Sequence, residues 1–131
     1  MSFVEKVREV NKMLQKGEPD NWSADHKGYS GYNPQHVIDA VNSEFCGDWS
    51  LLIVDKETYD SGRKNKSDSA IIEAFVHIRM SLGGQAIDAM ASHPILDDYG
   101  DAMKSAQTDA MKKAFAHFSI GSRAYRGLLK K

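Results

Sequence analysis

The chain has 131 residues and one cysteine, which suits a single domain with its own core and excludes an internal disulfide. Its 41% hydrophobic and 27% charged residues are the balance of an ordinary soluble globular protein, not of a fibrous or disordered chain. The formal net charge of −1 hides an asymmetry: residues 1–100 carry 10 Lys+Arg against 16 Asp+Glu, whereas residues 101–131 carry 7 against 2, so only the C-terminal quarter has a local basic excess suited to phosphates.

Phe3, Val7, Val10 and Leu14 recur at helical spacing, and Ser2 stands before them as an N-cap. The first element is therefore a short amphipathic helix, ended by Gly17-Glu18-Pro19. Its Glu5 and Glu9 argue against a transit peptide, and the N-terminus lacks the apolar stretch of a signal peptide. Residues 17–33 read as a loop rich in Gly, Asp, Ser, Asn and Tyr. Asn33 and Pro34 start a second helix, with Val37, Ile38, Val41 and Phe45 as its buried stripe and Gly47 as its stop.

A strand follows over Trp49–Tyr59, then a polar turn over Asp60–Asp68 carrying Arg63, Lys64 and Lys66. Ala70–Leu82 has the clearest strand pattern. Ala70, Ile72, Ala74, Val76, Ile78, Met80 and Leu82 share one face, and Phe75, His77 and Arg79 lie on the other. Gly83-Gly84 predicts a tight hairpin into a third strand over Gln85–Ala91. His93–Tyr99 reads as a loop. The last helix spans Asp101–Phe118, with Met103, Ala106, Ala110, Met111, Ala114, Phe115 and Phe118 as its stripe and an Asp109–Lys113 pair one turn apart. Ser122–Lys131 is a short basic tail, and no apolar run reaches the ~18 to 20 residues of a membrane span. A sheet with one apolar face needs a cover, and the last helix has the matching stripe. The predicted fold class is α+β: one domain over residues 1–131, an antiparallel three-stranded sheet covered by a long helix in a β-β-β-α core, with N-terminal helices.

Little here suggests catalysis. Cys46 with His36 or His77 is a conceivable nucleophile pair, but a lone cysteine at the apolar end of a helix reads as a buried structural residue. The histidines at 26, 36, 77, 93 and 117 have no metal-ligand spacing, and no Gly-rich phosphate loop is present, so no enzyme activity, metal or cofactor is expected. Asp97-Asp98 reads as a solvated turn or helix cap. Two features fit nucleic acid. Phe75 sits beside His77 and Arg79 on one strand face, an aromatic among cationic groups that suits unstacked bases and phosphates. On the last helix Lys104, Thr108 and Lys112 lie one turn apart, with Lys113 adjacent. A solvated face would have the same composition, so these patterns alone leave a scaffold role open.

Thr108-Asp109-Ala110-Met111-Lys112-Lys113-Ala114-Phe115, followed by Phe118-Ser119-Ile120-Gly121-Ser122-Arg123-Ala124-Tyr125, resembles the signature helix and following turn of the Rad52-type single-strand annealing family, including its DdrA-like bacterial branch. Ser119 stands where that family usually has glycine. Gly31-Tyr32-Asn33-Pro34-Gln35-His36-Val37-Ile38 through Phe45-Cys46-Gly47-Asp48-Trp49 is similar to its first block, and Ala74–Met80 to its central strand. The resemblance covers about residues 29–126, in the family's order.

It implies an oligomeric ring that binds single-stranded DNA in an outer basic groove and anneals complementary strands in homologous recombination and double-strand break repair, without catalysis. Lys112 and Lys113 match the basic pair lining that groove. His36 falls where an arginine is usual, and Ala116 replaces a third basic residue. Lys64 and Lys66 fall near a second, outer DNA-binding region, while Arg123 and Arg126 supplement the groove. With Lys104 and Arg79 these complete the expected DNA contacts. Expected partners are single-stranded DNA, further copies of the chain, and a single-strand-binding protein or recombinase, with no membrane. The expected setting is cytoplasmic and nucleoid-associated, or phage-encoded in a bacterial host, an organelle staying open. A DNA-end protector without strong annealing, or an RNA- or nucleoid-binding protein, is the alternative.

Overall fold

The computed structural model describes residues 1–16, 18, 22–24 and 30–122, with the backbone alone at 22–24 and 30. Helix α1 (Phe3–Gln15) starts where expected because Ser2 Oγ accepts a hydrogen bond from the Glu5 amide at 3.1 Å. It buries Val7, Val10 and Leu14. Where a continuous loop was expected, β1 (Trp22–Ala24) and β2 (Ser30–Tyr32) form a small antiparallel ribbon. Strands of three residues are too short to show a period in sequence. Helix α2 (Pro34–Phe45) is capped by Asn33, whose Oδ1 accepts from the Gln35 amide at 3.0 Å, and buries Val37, Ala40, Val41 and Phe45 against α1.

The main sheet has the order β3-β4-β5, all antiparallel, from β3 (Trp49–Lys64), β4 (Ala70–Leu82) and β5 (Gln85–Pro94). β3 runs five residues past its expected end. The segment expected as a polar turn rejoins the ladder at Lys64 after an irregularity at Gly62 (φ 80°), where Asp60 Oδ1 accepts the Gly62 amide at 2.9 Å. A second bulge leaves Val54 out of register. The tip is closed by Asn65, whose Oδ1 accepts the amides of Ser67 and Ser69 at 2.9 and 3.0 Å. At the other end Gly83 and Gly84 (φ 56° and 83°) make the two-residue turn. A Cβ on Gly83 would stand 2.8 Å from the Phe3 ring, so only glycine fits.

Helix α3 (Tyr99–His117) begins two residues earlier than expected, because Asp98 Oδ1 accepts the amides of Gly100 and Asp101 at 2.6 and 3.4 Å. It packs across β4 and β5, and its buried Ala102, Ala106, Ala110 and Ala114 let it lie close to the sheet. Its C-terminus is a Schellman turn: Ile120 N–H donates to Phe115 O and Ser119 N–H to Ala116 O, both at 2.9 Å. Ser119 takes φ 66°, which explains why glycine suits that position. Asn11 of α1 clasps this turn, donating from Nδ2 to Ser119 O at 2.8 Å and accepting from the Gly121 amide at 3.0 Å.

The core lies between the helices and one face of the sheet, where Ala74, Val76, Ile78, Met80 and Leu82 are fully buried with Phe45, Phe115 and Ile120. The Trp49 ring sits 5.4 Å from that of Phe115 and ties the start of β3 to α3. Two further expectations, about burial, differ from the structure. Ala70 and Ile72 were placed on the buried face, yet both are exposed, because β3 and β4 run on together beyond the region the helices cover. Cys46 was read as a buried residue, yet it is exposed. It is the C-cap of α2, with backbone outside the helical region (φ −55°, ψ 122°), and the apolar stripe ends one residue earlier at Phe45.

Candidate nucleic-acid interface

Successive residues on an α-helix point about 100° apart, so neighbours do not share a face. Lys112 and Lys113 therefore leave α3 on different flanks. Lys112 is half-buried on the flank facing β2 and α2, with its Nζ over Gly31, where a Cβ would be 3.7 Å away. Burial pulls the Lys112 pKa below the ordinary lysine value, and the nearby Asp109 carboxylate partly opposes that shift. Lys113 reaches the other way and donates to the Met90 carbonyl at 3.3 Å. Met90 belongs to β5, an edge strand, so Lys113 satisfies a carbonyl on the open side of the sheet. The expected Asp109–Lys113 pairing is thus replaced by Asp109 acting on Lys112.

Below Lys112 lies a cavity of about 130 Å³, lined by Gly31, Tyr32, Val37, Lys112, Phe115, Ile120 and Gly121. Its walls are almost wholly apolar. Tyr32 is buried and donates from its hydroxyl to the Glu18 carboxylate. The His36 ring lies 6.1 Å from the Tyr32 ring, while its Nε2 meets the Leu14 carbonyl at 3.1 Å. His36 is thus near the cleft but engaged with the end of α1.

The other candidate residues are spread over the molecule. Lys104 is exposed on the first half of α3. Lys64 and Lys66 are exposed at the far tip of the β3–β4 ribbon, where Lys64 Nζ lies 3.5 Å from Asp68 and the neighbouring Arg63 pairs with Glu73 at 3.3 Å. Arg79 stands on the sheet face opposite α3. Its Nε and guanidinium NH2 donate to the two Asp88 oxygens at 2.7 and 3.0 Å, and His77 Nε2 lies 2.9 Å from the same carboxylate. Those hydrogen bonds, from Arg79 first and then His77, hold the Asp88 pKa down at about 2. The Phe75-His77-Arg79 cluster therefore has its charge balanced in place. Arg123 and Arg126 lie outside the described residues. Ala116 lines a shallow depression with Lys113, His117 and Ile87–Met90.

The family model for the Rad52/22 family double-strand break repair protein matches residues 6–127, from α1 through all three main strands to beyond α3. The chain belongs to the Rad52/22 family. No curated protein sequence matches it. Every wall of the Lys112 cleft falls within the Rad52/22 match. Sequence reasoning singled out Lys112 but missed its partners in the cleft: Tyr32, Phe115 and Ile120 as cavity walls, and Asn11 as the clasp. Gly31 and Tyr32 opened a block similar to the Rad52 family, which was the available signal. Nothing local in the sequence joins that block to residues some 80 positions later.

Proposed function

We propose that this Rad52/22 chain binds single-stranded DNA and anneals complementary strands as a ring of identical subunits, without catalysing a reaction. The observation that carries the DNA part is Lys112, an ammonium half-withdrawn from water at the mouth of an apolar cleft. A cation in that position gains more from a phosphate than a fully solvated one does. Lys104 on the same helix is a second exposed cation, while Lys64 and Lys66 stand apart at the ribbon tip, where Lys64 Nζ lies 3.5 Å from Asp68. Assembly is supported by β3. It is an edge strand with Leu52 59%, Ile53 40% and Val54 42% exposed, and an apolar open edge favours pairing with a second copy. Head-to-tail contacts between unlike surfaces close into rings when the rotation between copies is a whole fraction of a turn, and otherwise run on as filaments.

The test is fluorescence anisotropy of a labelled oligonucleotide across a salt series, with strand annealing and electron microscopy on the same preparation. Binding that weakens with salt, at roughly 0.7 logarithmic unit per phosphate contact, together with annealing and closed rings, is the expected result. A particle that stays monomeric at micromolar concentration and binds no oligonucleotide at low salt overturns the reading. Binding without annealing would instead fit an end-protecting role. The pairing of Arg79 with Asp88 and of Lys113 with Met90 O favours that second reading, since both reduce the cations free to hold two strands.

A further inference from the structure

The cleft beside Lys112 joins two kinds of chemistry. At about 130 Å³ it is close to the engineered ~150 Å³ apolar cavity that accepts a benzene ring. The side chains of Tyr32, Val37, Phe115 and Ile120 wall it, and the one polar group among those four, the Tyr32 hydroxyl, is donated to Glu18. A ring with polar edge atoms would bury them there without partners, so the lining suits a bare arene. Lys112 Nζ stands at the mouth, and a Cβ on Gly31 would be 3.7 Å from it, so the glycine leaves room at that rim. Among the described residues this ammonium makes no hydrogen bond or ion pair, and the Asp109 carboxylate only partly offsets its burial. The rim thus favours an anion, and the interior favours an apolar ring.

We propose that the cleft binds a small single-ring aromatic carboxylate, with the ring in the cavity and the carboxylate paired with Lys112, and that this ligand competes with single-stranded DNA for that cation. The competition rests on the single-strand binding reading above; the ligand site does not. The bases of a bound strand take no part in it. Size limits the ring, since one six-membered ring fills a cavity of this volume and two fused rings overfill it. Charge limits the anion, since Lys112 is a single point charge suited to a monoanion. The walls are held in place from three directions: the Schellman turn clasped by Asn11 positions Ile120 and Gly121, α2 positions Val37, and the Tyr32 hydroxyl is tied to Glu18. The site is therefore preorganised to accept a ring with little rearrangement. A ligand and a strand that need the same ammonium weaken each other's binding reciprocally.

The test titrates the full chain with phenylacetate, followed by NMR without DNA. Saturable binding is expected, with a dissociation constant on the order of 1 mM or tighter for a ligand of roughly ten heavy atoms. Phenylacetamide, which keeps the shape and loses the charge, should bind about fivefold more weakly. Naphthylacetate, with its second ring, should also bind more weakly than phenylacetate. Gly31→Val places a branched side chain beside Lys112 Nζ and should lower phenylacetate affinity. As a check independent of that variant's folding, intermolecular NOEs in the unaltered chain should join the ligand's ring protons to the methyl groups of Val37 and Ile120. In a second arm, saturating phenylacetate should weaken the anisotropy-measured affinity for a labelled oligonucleotide about fivefold relative to acetate at the same concentration. No saturable binding up to about 10 mM phenylacetate, NOEs confined to other residues, or equal affinity for the amide overturns the ligand site. Unchanged oligonucleotide affinity in the phenylacetate-saturated chain overturns the competition and leaves the site standing. A chain that binds no oligonucleotide at low salt overturns the DNA reading, and the DNA-free titration still decides the site.

Discussion

The two ends of strand β4 share one pattern and meet opposite fates. From Ala74 to Leu82 the alternation seats every second side chain under the helices, and Ile78 is 0% exposed. Two and four residues before Ala74 the same face of the same strand carries Ile72 and Ala70, and Ile72 is 37% exposed. The outer end is paired with β3 through Asp60↔Ile72 and Lys64↔Ala70, beyond the last β5 partner of β4 at Glu73. One end of the sheet is a finished core, and the other is apolar surface without a cover. A period-two pattern states which side chains share a face; what covers that face is a separate matter.

The largest effect should separate these two ends. Ile78→Ala removes buried methyl groups and leaves a cavity, at a cost of about 3 kcal/mol in urea unfolding, whereas Ile72→Ala should cost less than about 1 kcal/mol in the isolated subunit. Equal losses at both positions would contradict the contrast. The next effect concerns the exposed apolar residues of β3, Leu52 and Ile53, which stand opposite Arg79 and Ile78 on β4. Leu52→Lys should shift the chain from large assemblies toward single subunits in light scattering while its melting temperature in dilute solution changes little. Retained assembly would place the interface elsewhere.

A third variant asks whether the finished end carries function against its own stability. Lys112→Met keeps an unbranched side chain one atom shorter, removes the terminal amine from an apolar cleft and should leave urea stability unchanged or raised. Oligonucleotide affinity should nevertheless fall about tenfold, with a shallower salt dependence. Loss of stability without loss of binding would assign Lys112 to the fold and not to DNA. A smaller gain is expected from Ser119→Gly, which removes a side chain from a positive-φ position and should stabilise the fold by about 0.5 to 1 kcal/mol.

The smallest effect tests the outer sheet face. The Asp88 pKa is held at about 2, below its ordinary 3.8, by Arg79 and His77. A depressed carboxylate pKa stabilises the folded state above the ordinary value, and that contribution drains away as pH falls from near 4 toward 2. Asp88→Asn should therefore be slightly less stable at neutral pH, and the gap in urea midpoints should narrow as pH drops below 4. A gap that stays constant with pH would show that the trio contributes nothing through charge.

Much of this fold was legible in particular residues. Ser2 and Asn33 cap the helices they precede, Gly83-Gly84 turn the hairpin, and the alternation through Ala74–Leu82 faces the core. The three-residue strands β1 and β2, the continuation of β3 to Lys64 and the exposure of Cys46 were not legible. Each follows from a local hydrogen bond or an end effect too short to leave a period. The site was legible to a smaller degree. Lys112 stood out through resemblance, but adjacency in sequence joined it to Lys113, and helix geometry sends the two to different flanks.

By itself, the sequence determined the order of elements, the α+β class, the face of β4 that meets α3, and the family. Those depend on spacing within one element, and spacing is written along the chain. Only the tertiary structure decided that Arg79 is balanced by Asp88, that Lys113 serves the β5 edge, and that Lys112 guards a cavity walled by Tyr32, Phe115 and Ile120. Each of those pairings joins residues on different elements, and the energy of a charge is set by what packs around it in space.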